Sequence, residues 1–385
     1  MAALKATPAK MTLDRVWLPV LSALVLIAGL LLPVGYYEDD LAFWSQFPLA
    51  LSFALVGLPC SAFAALVPGK GPLAVLWGLA GPLLLVLTAV GPVIISLAEL
   101  DIHTSGTGFW LVILALLMMA WRIMQHITAL PKARLWSILV PMIFGACLIY
   151  LWQAVIVAFE VPRVLLPAPT QIVSALIANF PTLMDDFRQT FLKAVIAGFV
   201  LGNLLGFVTA LLVDRVPFLQ RGLLPLGNLV SAVPIVGIAP IMVMWFGFGW
   251  ESKTAVIVFM IFFPMLINAL AGLSAADEML HDLLRSYGAS YWQTLLSLRL
   301  PVAMPFIFNA LKINSTLALI GAIVAEFFGS PIAGMGFRIS VEVARMNVDV
   351  VWATIAVAAV AGSASYGLLA LLERVVTFWH PSYRN

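Results

Sequence analysis

The charges of this chain are so spaced that nine uncharged, mainly apolar stretches lie between them: Val16–Tyr37, Leu41–Gly69, Gly71–Ala98, Ile102–Trp121, Leu135–Phe159, Ala194–Val213, Gly222–Trp250, Thr254–Ala276 and Val350–Leu372. A tenth, Leu300–Ala325, holds a single charge, Lys312. A helix needs about 20 such residues to cross the ~30 Å hydrocarbon core of a bilayer. Backbone groups in lipid must be hydrogen-bonded within their own segment, so the expected fold is all-α, a polytopic membrane protein of about ten transmembrane helices. Only 10% of the residues are charged against 63% hydrophobic, which excludes a soluble domain, where about 25% are charged. A further uncharged run, Val164–Met184, contains Pro167, Pro169 and Pro181. It reads as a surface segment with a short interfacial helix.

Several function classes fall away. The net charge of +2 is small and the basic residues are scattered singly, so no nucleic-acid surface is expected. Cys60 and Cys147 each sit in an apolar run and His103, His126, His281 and His380 stand apart, which argues against a disulfide framework or a metal site. Paired catalytic residues are missing at span depth, so no catalytic site is expected. No segment fits Gly-x-x-x-x-Gly-Lys-Ser/Thr, so ATP and Mg are expected on a separate subunit and no cofactor in this chain. Lys5, Lys10 and Arg15 precede a run long enough to remain as an anchor, which is unlike a cleaved signal peptide.

Lys and Arg accumulate in cytoplasmic loops. With the amino terminus inside, that side collects Lys5, Lys10, Arg15, Lys70, Arg122, Lys132, Arg134, Arg215, Arg221, Arg285, Arg299, Arg374 and Arg384. The other side holds Arg163, Arg188, Lys193, Lys253, Arg338 and Arg345. Both termini are therefore expected in the cytoplasm.

The connection 277–299 differs in composition from the other loops. Met279, Leu280, Leu283, Leu284 and Tyr287 recur at helical spacing beside a polar side of Asp282, Arg285 and Ser286, which predicts an amphipathic helix. Gly288 is placed to end it in the left-handed conformation, and Trp292, Leu295, Leu296 and Leu298 begin a second helix. By itself such a helix also suits a bilayer surface.

This loop resembles the signature of the permease subunits of bacterial ABC importers: Glu-Ala-Ala, three residues, Gly, nine residues, then Ile, any residue, Leu-Pro. Here it reads Asp282-Leu283-Leu284, Gly288, and Leu298-Arg299-Leu300-Pro301; the acid is kept and the two alanines are enlarged to leucine. The resemblance implies that Asp282, Leu283, Leu284, Arg285, Ser286, Tyr287, Gly288, Ala289 and Ser290 form the coupling helix that seats in an ATPase groove. Further segments are similar to the nitrate, sulfonate and taurine importer permeases: Leu166-Pro167-Ala168-Pro169-Thr170, Gly198-Phe199 with Gly202 and Gly206, Ala232-Val233-Pro234, Trp245-Phe246-Gly247-Phe248-Gly249, Pro264 with Asn268, Ala325-Glu326 and Gly334-Met335-Gly336. The resemblance divides the chain into an amino-terminal region, 1–130, with about four extra helices, and a core, 131–385, of about six. It implies two ATPase subunits, a second permease copy as a homodimer, a periplasmic or lipid-anchored solute-binding protein, surrounding lipid, and a place in the bacterial inner membrane. The implied solute is a small organic or inorganic anion such as a sulfonate, taurine or nitrate; a thiamine or riboflavin precursor is an alternative. Pro68-Gly69-Lys70-Gly71 and Gly106–Trp110 are faintly similar to some osmoprotectant importer permeases, which keeps that class open.

Gly198, Gly202 and Gly206 stand four apart on one helix face, the spacing of a close helix contact. Pro234, Gly237 and Pro240 should break the run Gly222–Trp250 and, with Asn268, Lys312 and Glu326, are the candidates for a translocation path. A charge in lipid costs at least ~2.5 kcal/mol, so Lys312 and Glu326 need water or a partner. Fourteen positions separate them, roughly 21 Å of helix, too far to pair; Glu326 is expected to hold the outer loop, and Lys312 either to attract an anionic solute or to extend to the cytoplasmic surface. The main rival is an ion-coupled secondary transporter, whose inverted repeats and intramembrane acids are not evident.

Overall fold

The computed structural model describes residues 8–37, 40–43, 106–128, 134–216, 218–219, 222–223, 225, 227, 233–329 and 332–379. The expected spans Leu41–Gly69, except its first residues, and Gly71–Ala98 lie outside them. The contacts divide the chain into two compact units, 1–171 and 172–385. The division falls after the 130/131 boundary drawn from sequence, because the helix Arg134–Ala158 packs on the helix before it.

The first unit contains α1 (Pro8–Leu31), a two-stranded ribbon of β1 (Gly35–Tyr37) and β2 (Asp40–Ala42), α2 (Thr107–Thr128) and α3 (Arg134–Ala158). The ribbon pairs antiparallel with Gly35 opposite Ala42, the one exception among the described residues to the all-α expectation. Its core gathers Leu26 and Val34 with Phe109, Val112, Ile113 and Leu116 and with Ala154 and Ala158. Val112 and Leu116 lie one turn apart, so one stripe of α2 is buried. A short apolar helix, α4 (Pro169–Ala178), falls in the expected interfacial segment.

In the second unit, α5 (Phe180–Phe187), a π-helical stretch (Arg188–Val195) and α6 (Ile196–Arg215) form one run of 36 residues. It begins well before Ala194, where the uncharged stretch starts: the charged residues 185–193 continue the helix instead of ending it. Next come α7 (Ile235–Phe246), α8 (Trp250–Leu273), α9 (Glu278–Ser286), α10 (Tyr291–Thr294), α11 (Leu300–Phe328), α12 (Met335–Ala344) and α13 (Val348–Val376). Five helical runs among the described residues are long and apolar enough to cross a membrane: Ile138–Ala158, Phe180–Arg215, Trp250–Leu273, Tyr291–Phe328 and Val348–Val376.

The core of this unit forms where α8 lies between α6 and α11. An added Cβ at Gly198 would stand 2.6 Å from Ile257 Cβ, at Gly202 2.5 Å from Ile261 Cγ1, and at Gly206 2.8 Å from Met265 Cβ. The constant offset along both helices means that α6 and α8 run parallel with their backbones in close approach, the arrangement small residues permit. Asn314, fully buried on α11, donates to Asn203 Oδ1 at 2.6 Å and to the Ile261 carbonyl at 3.1 Å. One amide therefore ties three helices in their middle.

Candidate functional site

The loop 277–299 is held by local chemistry at every joint. The Asp277 carboxylate accepts from the Met279 N–H at 2.8 Å and so caps α9, with Glu278 in its first turn and Arg285 in its last, the charge order a helix dipole favours. At the other end Gly288 takes φ +75. Its N–H donates to the Arg285 carbonyl at 3.0 Å and the Ala289 N–H to the Leu284 carbonyl at 3.0 Å, the paired bonds of a Schellman stop. Ser290 then opens α10 through a capping box: its N–H donates to Gln293 Oε1 at 2.7 Å while its hydroxyl accepts from the Gln293 N–H. From Tyr291 the chain is helical without interruption to Phe328. A π-helical turn, Leu295–Arg299, marks the join; Pro301, which has no N–H for the Ser297 carbonyl, falls where the bonding register shifts. The second half of the loop, from Tyr291, is thus an extension of α11, and the turn Tyr287–Ser290 joins α9 to it.

This lever is fastened at its base. Arg299 forms a two-pronged bond with Asp214 at the end of α6, Nη1 to Oδ2 at 2.8 Å and Nη2 to Oδ1 at 2.6 Å, and its Nε donates to the Leu273 carbonyl at the end of α8. The Tyr291 hydroxyl also donates to Asp214, and the Arg215 guanidinium stands 5.4 Å above the Tyr291 ring. Asp214 and Tyr291 are absent from the sequence candidates; a lone acid closing a span was the available signal. Met279 and Leu283 on α9 and Tyr287 at its C-cap form an i, i+4, i+8 stripe that is 75%, 50% and 82% exposed. The helix has no buried residue, so its apolar side faces away from this chain's own core.

At the far end of the same helices a second cluster holds α12. Asp186, fully buried, accepts from the Gly334 N–H at 2.8 Å and from Arg338 Nε at 2.7 Å; this bond raises the pKa of the Arg338 guanidinium above its ordinary value, so it stays cationic. Thr190 donates to Glu326 Oε1 at 2.7 Å and accepts from the Met335 N–H, and Glu326 Oε2 accepts from the Gly336 N–H at 2.7 Å. Glu326 therefore anchors the first turn of α12 to α11 and to the π-helical stretch. Replacing Glu326 by alanine orphans the Thr190 hydroxyl and the Gly336 N–H, and about 2–6 kcal/mol of stability should be lost at ~1–3 kcal/mol each. Glu326→Gln, which keeps an acceptor, should lose less; equal drops in thermal midpoint for the two variants would overturn this assignment.

The remaining candidates are dispersed. Lys312 Nζ donates to Glu373 Oε2 on α13 at 2.7 Å. The sequence run Val350–Leu372 stops one residue short of that partner, which is why it was missed. The Asn268 side chain bonds back to the Pro264 carbonyl at 2.8 Å. Pro234 precedes α7 in extended conformation, ψ 124, so the expected break occurs at that residue, whereas Pro240 lies inside the helix. Pro234, Gly237 and Pro240 are all exposed. Beside the start of α7 is a cavity of ≈ 370 Å³ whose lining includes Ile235, Ile238, Phe259, Met260, Phe263 and Leu317.

Residues 202–378 match a family described as the binding-protein-dependent transport system inner membrane component. A probable ABC transporter permease protein of Haemophilus influenzae is 32% identical over 218 residues, covering 57% of this chain and 88% of that protein. The chain belongs to this family. The formylaminopyrimidine transport permease protein of Halalkalibacterium halodurans is 29% identical, with 64% of this chain and 98% of that protein covered. The taurine transport system permease protein of Escherichia coli is 30% identical, covering 61% and 87%. The matched region begins within α6 and takes in the loop 277–299, its Arg299 clasp, and Glu326 and Arg338 of the α12 anchor, whose Asp186 and Thr190 precede it. The protein is a multi-pass permease subunit of an ABC importer in the inner membrane; ATP hydrolysis lies on a separate subunit, and delivery of the solute on a binding protein.

Proposed function

We propose that two copies of this chain form a homodimeric path for a small organic solute, with two ATPase subunits, which bind ATP and Mg, under the 277–299 loops. A periplasmic or lipid-anchored solute-binding protein sits at the opposite face, and both termini lie in the cytoplasm, in keeping with the distribution of Lys and Arg. The reading rests on α9: a helix capped at both ends, joined by a short fixed turn to a transmembrane helix, with an apolar stripe exposed on this chain. Closure of the ATPase pair displaces α9. The turn Tyr287–Ser290, fixed by the Schellman bonds and the Ser290 capping box, passes this displacement to α11, and the Arg299 clasp carries α6 and α8 along, which alternates access to the path. Formylaminopyrimidine and taurine, the solutes in two relatives' names, both suit a small polar organic molecule.

The test is co-purification of this chain with its ABC ATPase subunit. Wild type should retain the ATPase, while Leu283→Asp, which puts a charge in the apolar stripe, and Gly288→Pro, which cannot adopt φ +75, should each lower solute-stimulated ATP hydrolysis at least ~10-fold, a loss of about 1.4 kcal/mol in coupling or more. The variants should still elute as folded permease. Retention of full stimulation by both, or failure of the ATPase to bind wild type, would refute the coupling role.

A further inference from the structure

Two polar ties between α6 and α11 enclose an apolar slot. Asn314 bonds Asn203 at the middle of the helices, and Arg299 bonds Asp214 at the coupling end. Between these bonds the helices leave a cavity of ≈ 440 Å³, walled by Leu204 and Phe207 on one side and by Leu300 and Met304 on the other, with Met265 of α8 in its lining and Asn203 at its inner limit. Eleven positions separate Asn203 from Asp214, ~16 Å of helix at 1.5 Å per residue. That is the depth of one leaflet, half of the ~30 Å hydrocarbon core. The slot opens away from the helix layer: Leu204 stands about 200° around α6 from Gly202 and from Gly206, whose face meets α8. It is 54% exposed, and Leu205, Val208 and Leu212 continue the exposed apolar surface, the kind that acyl chains cover as readily as another helix does.

A cation stands at the coupling end of the slot. Arg215 follows Leu204 by eleven positions, about three turns along the helix and about 20° around it, so the two share one face of α6. It is exposed and closes the membrane-crossing run Phe180–Arg215. Its guanidinium lies 5.4 Å over the ring of Tyr291, while Asp214 beside it already accepts from Arg299 and from the Tyr291 hydroxyl. Trp292, 56% exposed, packs edge-on against Tyr291, the placement of aromatic side chains at a membrane–water interface. A planar guanidinium held at that level presents paired N–H donors to a phosphodiester, with apolar walls directly beneath it for the chain that the phosphodiester carries.

We propose that the slot between α6 and α11 binds one acyl chain of an anionic phospholipid from the leaflet next to the ATPase, with the lipid phosphate on Arg215. The proposal rests on the permease reading above for its orientation in the membrane and adds a lipid site apart from the solute path.

Native mass spectrometry of the complete complex tests it, with phosphatidylglycerol or phosphatidylcholine of the same acyl chains added at equal concentration. Wild type should retain phosphatidylglycerol about 5-fold better, the factor expected for one Arg at an anionic surface, and Arg215→Gln should bring the two lipids level. Leu204→Trp and Met304→Trp fill the slot from two helices, so misfolding of one leaves the other; both should lose the retained phosphatidylglycerol, whereas Val360→Trp on the exposed side of α13 should keep it. In a background carrying Cys60→Ser and Cys147→Ser, a bis-maleimide on Leu204→Cys should not join two permease copies. Equal retention of the two lipids by wild type, an unchanged preference in Arg215→Gln or in both tryptophan variants, or copies joined through position 204 overturns the proposal, the last by making the slot an interface between copies. ATPase retention is read from the same spectra: if the ATPase stays bound to wild type while the lipids give the overturning result, the slot assignment fails and the permease reading stands.

Discussion

Arg299→Ala should be the most damaging single substitution at the coupling end, lowering stability by about 3 kcal/mol and uncoupling ATP hydrolysis from transport. The side chains of Arg299 and Asp214 are 16% and 12% exposed, so the pair is largely desolvated; removing one member of a buried pair costs ~3–5 kcal/mol, mainly because the other charge is left without compensation. Asp214 would keep only the Tyr291 hydroxyl, and the Leu273 carbonyl would lose the Nε donor. Asp214→Ala should weigh nearly as much, while the double variant should fall well short of the sum, since the two residues share one interaction. Thermal inactivation half-lives in detergent are the suitable measure for a membrane protein that unfolds irreversibly. Additive losses, or an Arg299→Ala complex whose transport per ATP is unchanged, would show that the clasp is not what carries motion from the loop into α6 and α8.

Gly202→Leu should abolish accumulation of folded protein. Its Cβ alone would lie 2.5 Å from Ile261 Cγ1 and 3.1 Å from the Val258 Cα, so the backbone of α8 would have to retreat and the Asn314 bonds to Asn203 and the Ile261 carbonyl would break with it. Gly202→Ala should cost about 1–3 kcal/mol as simple overpacking, and Ile261→Ala combined with it should recover part of that. Gly237→Ala makes the contrast: a Cβ there meets nothing within 4 Å, and its effect should stay within ~0.5 kcal/mol. Midpoints of thermal aggregation for the four proteins would decide the matter; a stable, abundant Gly202→Leu would mean that α6 and α8 do not pack as described.

The legible features were those encoded over short stretches. The helix of the 277–299 loop, its stop at Gly288 and the second helix after it need only residues within one or two turns of each other, and the Schellman bonds formed at Gly288, where the spacing placed the stop. The apolar runs located α8, α11 and α13 to within a few residues at most boundaries, because hydropathy over about 20 residues is itself the insertion signal. The helix preceding Ala194 was illegible for the complementary reason. Asp185, Asp186, Arg188 and Lys193 make that stretch too polar for lipid, yet Asp186 is buried because Arg338 and Gly334, about 150 positions away, supply its hydrogen bonds.

From sequence alone came the class of fold, the order of the main helices, the helix–turn–helix of the 277–299 loop and the family signature, since hydropathy and helix stops are properties of neighbouring residues. Tertiary structure decided what the charges do. Lys312 finds Glu373 61 positions on, Arg299 finds Asp214 across 85, and Asp186 finds Arg338 across 152. In an apolar medium a charge must be met by whatever group the packing brings to it, and which group that is depends on the parallel seating of α6 against α8 and the return of α13 alongside α11, a three-dimensional fact that no spacing along the chain expresses.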